Sequence, residues 1–233
     1  MITKTFKTTG GKLQVSIPET IREISLGQLI ALQSTTQMND LDAISILSGT
    51  PLSQIRLIKD FADLHHFSVH IAKLSEQIRA AYDSDSLPKT VCFDVDGSPK
   101  DIAVITNLAI EPAGAFMAAR DLITEEINKH VEMHGEEDWK NSFNPSLSAC
   151  AMILAHYFYS KVTRREYNEY RAEEFIKVVK RLPFTDALPI AKYFFLNYPN
   201  LSKPKISCWH RVQLLWKKRL ALSSFKSSGM LTQ

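Results

Sequence analysis

The sequence predicts a mainly α chain of the α+β type: a multi-helix bundle with a small antiparallel sheet supplied by two β-hairpins. Three observations carry this. Apolar residues recur at three- and four-residue steps over most of the 233 residues. Two short stretches alternate instead, each around a glycine turn signal. A hydrophobic fraction of 45% is enough to build a core without disulfides or metal.

In chain order, "TKTFKT" and "KLQVSIP" alternate on either side of "TGGK", a hairpin in which Gly10 and Gly11 would supply positive φ angles. Pro18 ends the second strand because it has no N–H to donate. Ser25 then caps a helix with Leu26, Leu29 and Ile30 on one face. Asp40 is expected to cap a short helix through Leu47, Gly49 to end it, and Thr50-Pro51 to start the next. From Ile55 onward Phe61, Leu64, Ile71, Leu74, Ile78 and Tyr82 describe one long amphipathic helix. The polar stretch "YDSDSLPK" marks a candidate boundary between segments 1–83 and 84–233, unless the two form one continuous domain.

"TVCFDVDGSPKDIAVI" reads as the second hairpin, followed by a helix that Gly135 stops and that carries Glu125, Glu126 and Glu132 against Arg120 and Lys129. Asn144-Pro145 opens the next helix, and "SACAMILAHYFYSK" is apolar almost all round, as expected at the centre of a bundle. Helices from about Glu169 to Arg181 and Asp186 to Asn197 flank Pro183. A last helix places Trp209, Val212, Trp216 and Leu220 on one face, with Arg211 and Lys218 opposite.

Composition narrows the function classes. Cys92, Cys150 and Cys208 are odd in number and widely spaced, which fits neither a disulfide framework nor zinc knuckles, so a reducing compartment is expected. The first residues lack the apolar run of a signal peptide, and no stretch approaches the ~20 apolar residues of a membrane span. Net charge is +3, yet Leu201 onward carries seven Lys or Arg and no acid, so the chain before it is net acidic.

Each motif that could carry chemistry has a structural counterpart. "VCFDVDGSP" is similar to the first motif of haloacid-dehalogenase-type phosphatases. On that reading Asp94 is the nucleophile, Asp96 the general acid and base, and magnesium offsets their repulsion. Asp-Gly between alternating strands is equally a hairpin turn, and the α/β alternation of a parallel sheet is absent. His130 and His134 share a helical face near Glu126, and His66 and His70 repeat the spacing beside Asp63. Zinc chelation is one reading, a solvated polar face the other. No nucleophile elbow or phosphate loop is present, and no catalytic residue, cofactor or metal is expected. The basic segment Lys203, Lys205, Arg211, Lys217, Lys218, Arg219 and Lys226, with Trp209 and Trp216, could bind nucleic acid, dock a partner, or pack against the bundle.

Two stretches together prompt a family suggestion: "IPETIREISLGQLIALQ", with Ile17, Pro18, Glu19, Ile24, Leu26, Gly27 and Gln28, and "RLPFTDALPIAKYFFLNY", with Pro183, Ala191, Phe194, Phe195 and Leu196. They resemble tail assembly chaperones, or related structural and assembly proteins, of tailed bacteriophages. The resemblance implies a non-enzymatic helical protein of the host cytoplasm that holds tape-measure or tail-tube chains, some relatives staying in the virion. It implies exposed apolar faces, with Phe194 and Phe195 or Trp209, Val212, Trp216 and Leu220 as candidates. Self-association through the acidic 125–138 stretch and a neighbour's basic tail is a further expectation.

Overall fold

Strands β1 (Ile2–Thr8) and β2 (Gly11–Ile17) pair antiparallel around Thr9-Gly10. Only one of the two glycines expected to take a positive φ does so: Gly11, at +136°. Alternation along β1 turns Phe6 inward to full burial, where its ring meets Phe67 edge-on at 5.5 Å. The computed structural model describes residues 1–59, 61–82, 86–95, 97–105, 111–135 and 143–197, and for 61–63 the backbone alone.

Helix α1 (Leu26–Ser34) opens on the capping box of Ser25 and Gln28. Helix α2 (Asp40–Ser48) is capped by Asn39 with Asp42, one residue earlier than expected, because Asn39 keeps extended dihedrals and its side chain reaches the Asp42 N–H. Gly49 ends α2 in the left-handed conformation at φ +67°. After it, α3 (Leu52–Ile55) is a single turn, with Pro51 rather than Thr50 at the cap.

The long helix expected from Ile55 begins only at Phe61, as α4 (Phe61–Tyr82). Residues 57–59 are drawn into strand pairing. The Lys59 N–H donates to the Lys7 carbonyl at 3.1 Å, the Thr9 N–H to the Leu57 carbonyl at 3.3 Å, and Ile58 bridges Thr8. Ile58 is 6% exposed, so tertiary pairing and burial override the helical periodicity of this stretch.

Strands β3 (Thr90–Val95) and β4 (Ser98–Ala103) form the second hairpin, with Gly97 at φ +75° in its turn. The hairpins form two separate two-stranded sheets rather than one small sheet. Each packs on its own helices: Phe93 lies 4.8 Å from the Phe158 ring and 6.1 Å from that of Phe175.

Helix α5 (Ala113–His134) leads to α6 (Leu147–Thr163), which is buried nearly all round, as its composition predicts. Around α6 pack α1, α5, α7 (Glu169–Glu174), α8 (Ile176–Val179) and α9 (Phe184–Asn197). The single helix expected from Glu169 to Arg181 is thus two short ones meeting at Phe175, a residue that turns inward and is 7% exposed.

The described fold is mainly α with two small hairpins. Residues Met1–Tyr198 form one compact unit, and 199–233 are a second about which nothing structural is described. Within the first unit, segments on either side of residue 83 pack together: Lys192 Nζ donates to the Tyr82 carbonyl, and Ser25 bridges Pro183. Among the described residues no helix is long and apolar enough to cross a membrane.

Candidate functional site

The two stretches that carry the family resemblance meet in space. The first N–H groups of α1 have no partners within their own helix. Two of them are satisfied by the far end of the unit: Leu26 donates to the Leu182 carbonyl at 2.8 Å, and Gly27 to the Lys180 carbonyl at 2.8 Å. In return the Phe184 N–H donates to the Ile24 carbonyl at 3.0 Å. Gly27 permits this approach, since a Cβ there would lie 3.0 Å from the Lys180 oxygen and 3.2 Å from its Cβ. Gln28 does double duty. Its Oε1 accepts from the Ser25 N–H at 2.9 Å, while its Nε2 donates to the Leu47 carbonyl at 2.8 Å, closing the end of α2. "SLGQ" is therefore the joint between helices from opposite ends of the unit.

That geometry corrects one expectation. Phe194 and Phe195 are not an exposed docking face: they are 1% and 2% exposed, Phe194 against Tyr157 at 4.6 Å and Phe195 against Phe143 at 5.3 Å. The apolar surroundings of α6 take up this side of α9, while the neighbouring Leu196 is 51% exposed. The other proposed contacts, Trp209, Val212, Trp216 and Leu220, and the basic residues Lys203, Lys205, Arg211, Lys217, Lys218, Arg219 and Lys226, lie outside the described residues.

Asp94 stands exposed on β3, opposite Pro99 of an antiparallel hairpin, and Asp96 lies outside the described residues. The surroundings are those of a hairpin rather than of a strand end in a parallel sheet. The two histidine pairs diverge. His130 is 9% exposed, packed on His134 at 4.6 Å and on Phe143 at 5.3 Å. His70 Nε2 lies 3.0 Å from the Pro18 carbonyl. Among the described residues no group of three or more His, Cys, Asp or Glu is placed to hold a metal ion.

Polar groups converge around α6. Lys161 donates to Glu111 Oε2, whose side chain is 5% exposed, and lies 4.0 Å from the centroid of the Tyr157 ring. Tyr157 accepts from the Ile105 N–H at 2.8 Å and donates to the Ile105 carbonyl at 3.0 Å, and burial pushes its phenol up to about 12. Across the helix, His156 Nδ1 and the Tyr167 hydroxyl are 2.8 Å apart, and burial lowers the imidazole pKa. These contacts tie α6 to its neighbours, while Glu111 Oε1 is buried without a hydrogen-bond partner among the described residues.

A shallow groove on the described surface lies elsewhere. A groove of about 410 Å³ runs between β1 and α4, lined by Ile2, Thr3, Lys4, His66, Phe67, Val69, His70 and Lys73. Phe67 is its buried floor, Val69 is 58% exposed on its wall, and none of the eight lining residues is acidic. The sequence reading passed over this site apart from the histidines. Two signals were available: Lys4 alternates in phase with the inward-facing Phe6, and Val69 falls off the apolar stripe of α4. Comparison with protein-family models, with curated proteins and with solved structures gives no match.

Proposed function

We propose that this chain is a non-enzymatic assembly protein of the kind tailed bacteriophages use in their tail region. Its ligand is a segment of another protein, a tape-measure or tail-tube chain, held in the host cytoplasm. The groove beside β1 supports the binding part of this reading, because the exposed Val69 stands on its wall above the buried Phe67 and described residues of the chain itself do not fill it. The tail-region part rests on the resemblance, whose two distant stretches form one joint through Gly27 and Lys180.

Affinity capture of the tagged protein from its native lysate, with nuclease and a high-salt wash, tests it. Recovery of a long tape-measure-like chain or of tail-tube subunits is the expected result, and a clean chain with no partner overturns it. The concentration of seven basic residues and no acid after Leu201 supports a second reading, nucleic-acid binding by that segment. Reversing the charge of Lys217, Lys218 and Arg219 then abolishes gel retardation, and retention of the shift removes this reading.

A further inference from the structure

Residues 164–168 carry the chain from α6 to α7, and a single side chain ties them down. Arg164, Arg165, Glu166 and Asn168 are exposed, whereas Tyr167 is half-buried. Its hydroxyl lies 2.8 Å from Nδ1 of His156, which is itself 3% exposed on α6. Its ring lies against the first turn of α5, where a Cβ on Gly114 would stand 2.8 Å from Tyr167 Cδ1. Tyr167 thus holds the connection to two helices at once. The backbone beside it is strained, because Arg164 leaves α6 at φ +60°, in the left-handed region that few residues other than glycine adopt.

We propose that residues 164–168 form an acid-released strap: when the His156 imidazole takes up a proton, Tyr167 withdraws from His156 and Gly114 and water reaches the ring. A buried imidazolium is costly unless it is hydrated or paired with a charge. The Tyr167 hydroxyl can accept from Nδ1–H but carries no charge to offset it. Glu169 and Glu173 of α7 do attract the proton, yet both are exposed and therefore screened. Burial outweighs them and holds the imidazole below its ordinary value of 6.5. Helix α6 is enclosed nearly all round, so lifting a strap fixed by one side chain is the smallest movement that hydrates the ring. The open strap binds the proton more tightly than the closed one. Opening is therefore insensitive to pH well above 6.5 and grows as pH falls below it.

A glutamyl endopeptidase acting on the full chain tests this at the Glu166–Tyr167 bond, since cleavage tracks the open population when opening and closing are fast. At each pH the rate is divided by that for a free peptide of residues 162–171. The ratio should be flat above pH 7.5 and rise severalfold from pH 7.5 to 5.5, by about tenfold at most because one proton is linked. His156→Gln removes the titration and should leave the ratio flat. Tyr167→Phe keeps the ring on Gly114 but loses the hydroxyl, and should raise the ratio severalfold at pH 7.5. Cleavage after Glu125 or Glu126, inside α5, needs wider unfolding and should not rise in step.

An unchanged ratio between pH 7.5 and 5.5, a rise that persists in His156→Gln, or a Tyr167→Phe chain cut no faster than wild type would each overturn the proposal. So would parallel cleavage inside α5, which would make the acid response a loss of the whole fold. Should His156→Gln fail to fold, the wild-type profile decides. A rise that begins near pH 6.5 supports the strap, and one that begins only below about pH 5 assigns the response to the carboxylates of Glu169 and Glu173 and overturns it.

Discussion

Gly27→Ala sets two effects of similar size against each other. Alanine is favoured over glycine inside a helix by about 1 kcal/mol, and by less in a first turn such as this. Against it stands the added methyl, 3.0 Å from the Lys180 carbonyl oxygen and 3.2 Å from Lys180 Cβ. Relieving that contact moves α1 away from residues 180–182 by a few tenths of an ångström. It lengthens two hydrogen bonds now at 2.8 Å, from Leu26 to Leu182 and from Gly27 to Lys180. Each contributes about 0.5–1.5 kcal/mol, and Leu26 beside them is fully buried. The expected balance is a loss of about 1 kcal/mol, a fall in Tm of roughly 2–4 °C for a unit of this size. Gly27→Val, with a bulkier branched side chain at the same contact, should cost more. Urea unfolding followed by far-ultraviolet circular dichroism measures both. Gly10→Ala is the control, because Gly10 has open space around its Cβ position and no positive φ, and should stay within about 0.5 kcal/mol of wild type. A Gly27→Ala protein as stable as wild type, or more so, would refute the argument that close approach is what requires glycine there.

Three further outcomes are expected. Glu111→Ala leaves Lys161 without its carboxylate and should cost about 3 kcal/mol, the lower end for a broken buried pair because the lysine side chain is 19% exposed. The double variant Glu111→Leu with Lys161→Met should recover most of that in urea unfolding, and a single variant of wild-type stability would dismiss the pair as a clamp. Burial holds His156 below its ordinary value of 6.5, outweighing Glu169 and Glu173, which act the other way. The unfolded chain then takes up this proton first, so the contribution is intact above about pH 6.5 and is lost as pH falls toward the folded-state value. His156→Gln should flatten the slope of unfolding free energy between pH 7.5 and 5.5, and an unchanged slope counts against it. Cys150 is fully buried with its thiol pushed up to about 12, so iodoacetamide at pH 8 should leave it unmodified in the native protein and alkylate it in urea. Peptide mapping reads this, and native labelling at Cys150 would show that α6 opens.

Legibility in the sequence followed how local each cause is. The capping box of Ser25 and Gln28, the left-handed stop at Gly49 and the central place of α6 depend on neighbours in the chain, and each could be read directly. The break before α4 could not, because the helical spacing from Ile55 to Lys59 is acceptable and residues 57–59 leave it only to pair with β1. Phe194 and Phe195 look alike as core or as docking surface until the position of α6 is known. Glu111 and Lys161 lie too far apart along the chain for any spacing rule to join them. The groove depends on where residues 57–59 stop covering β1, a tertiary fact with only the phase of Lys4 and the misplaced Val69 as hints.

The joint between "SLGQ" and residues 180–184 also orders the chain in time. At translation rates of roughly 5–20 residues per second, α1 leaves the ribosome on the order of ten seconds before the carbonyls of Lys180 and Leu182 exist. Throughout that interval Ile24, Leu26 and Leu29 lack part of their eventual cover, so the first helix made is among the last to be secured. Protease resistance of ribosome-bound chains arrested before and after residue 184 would register that delay, and equal resistance of the two would disprove it.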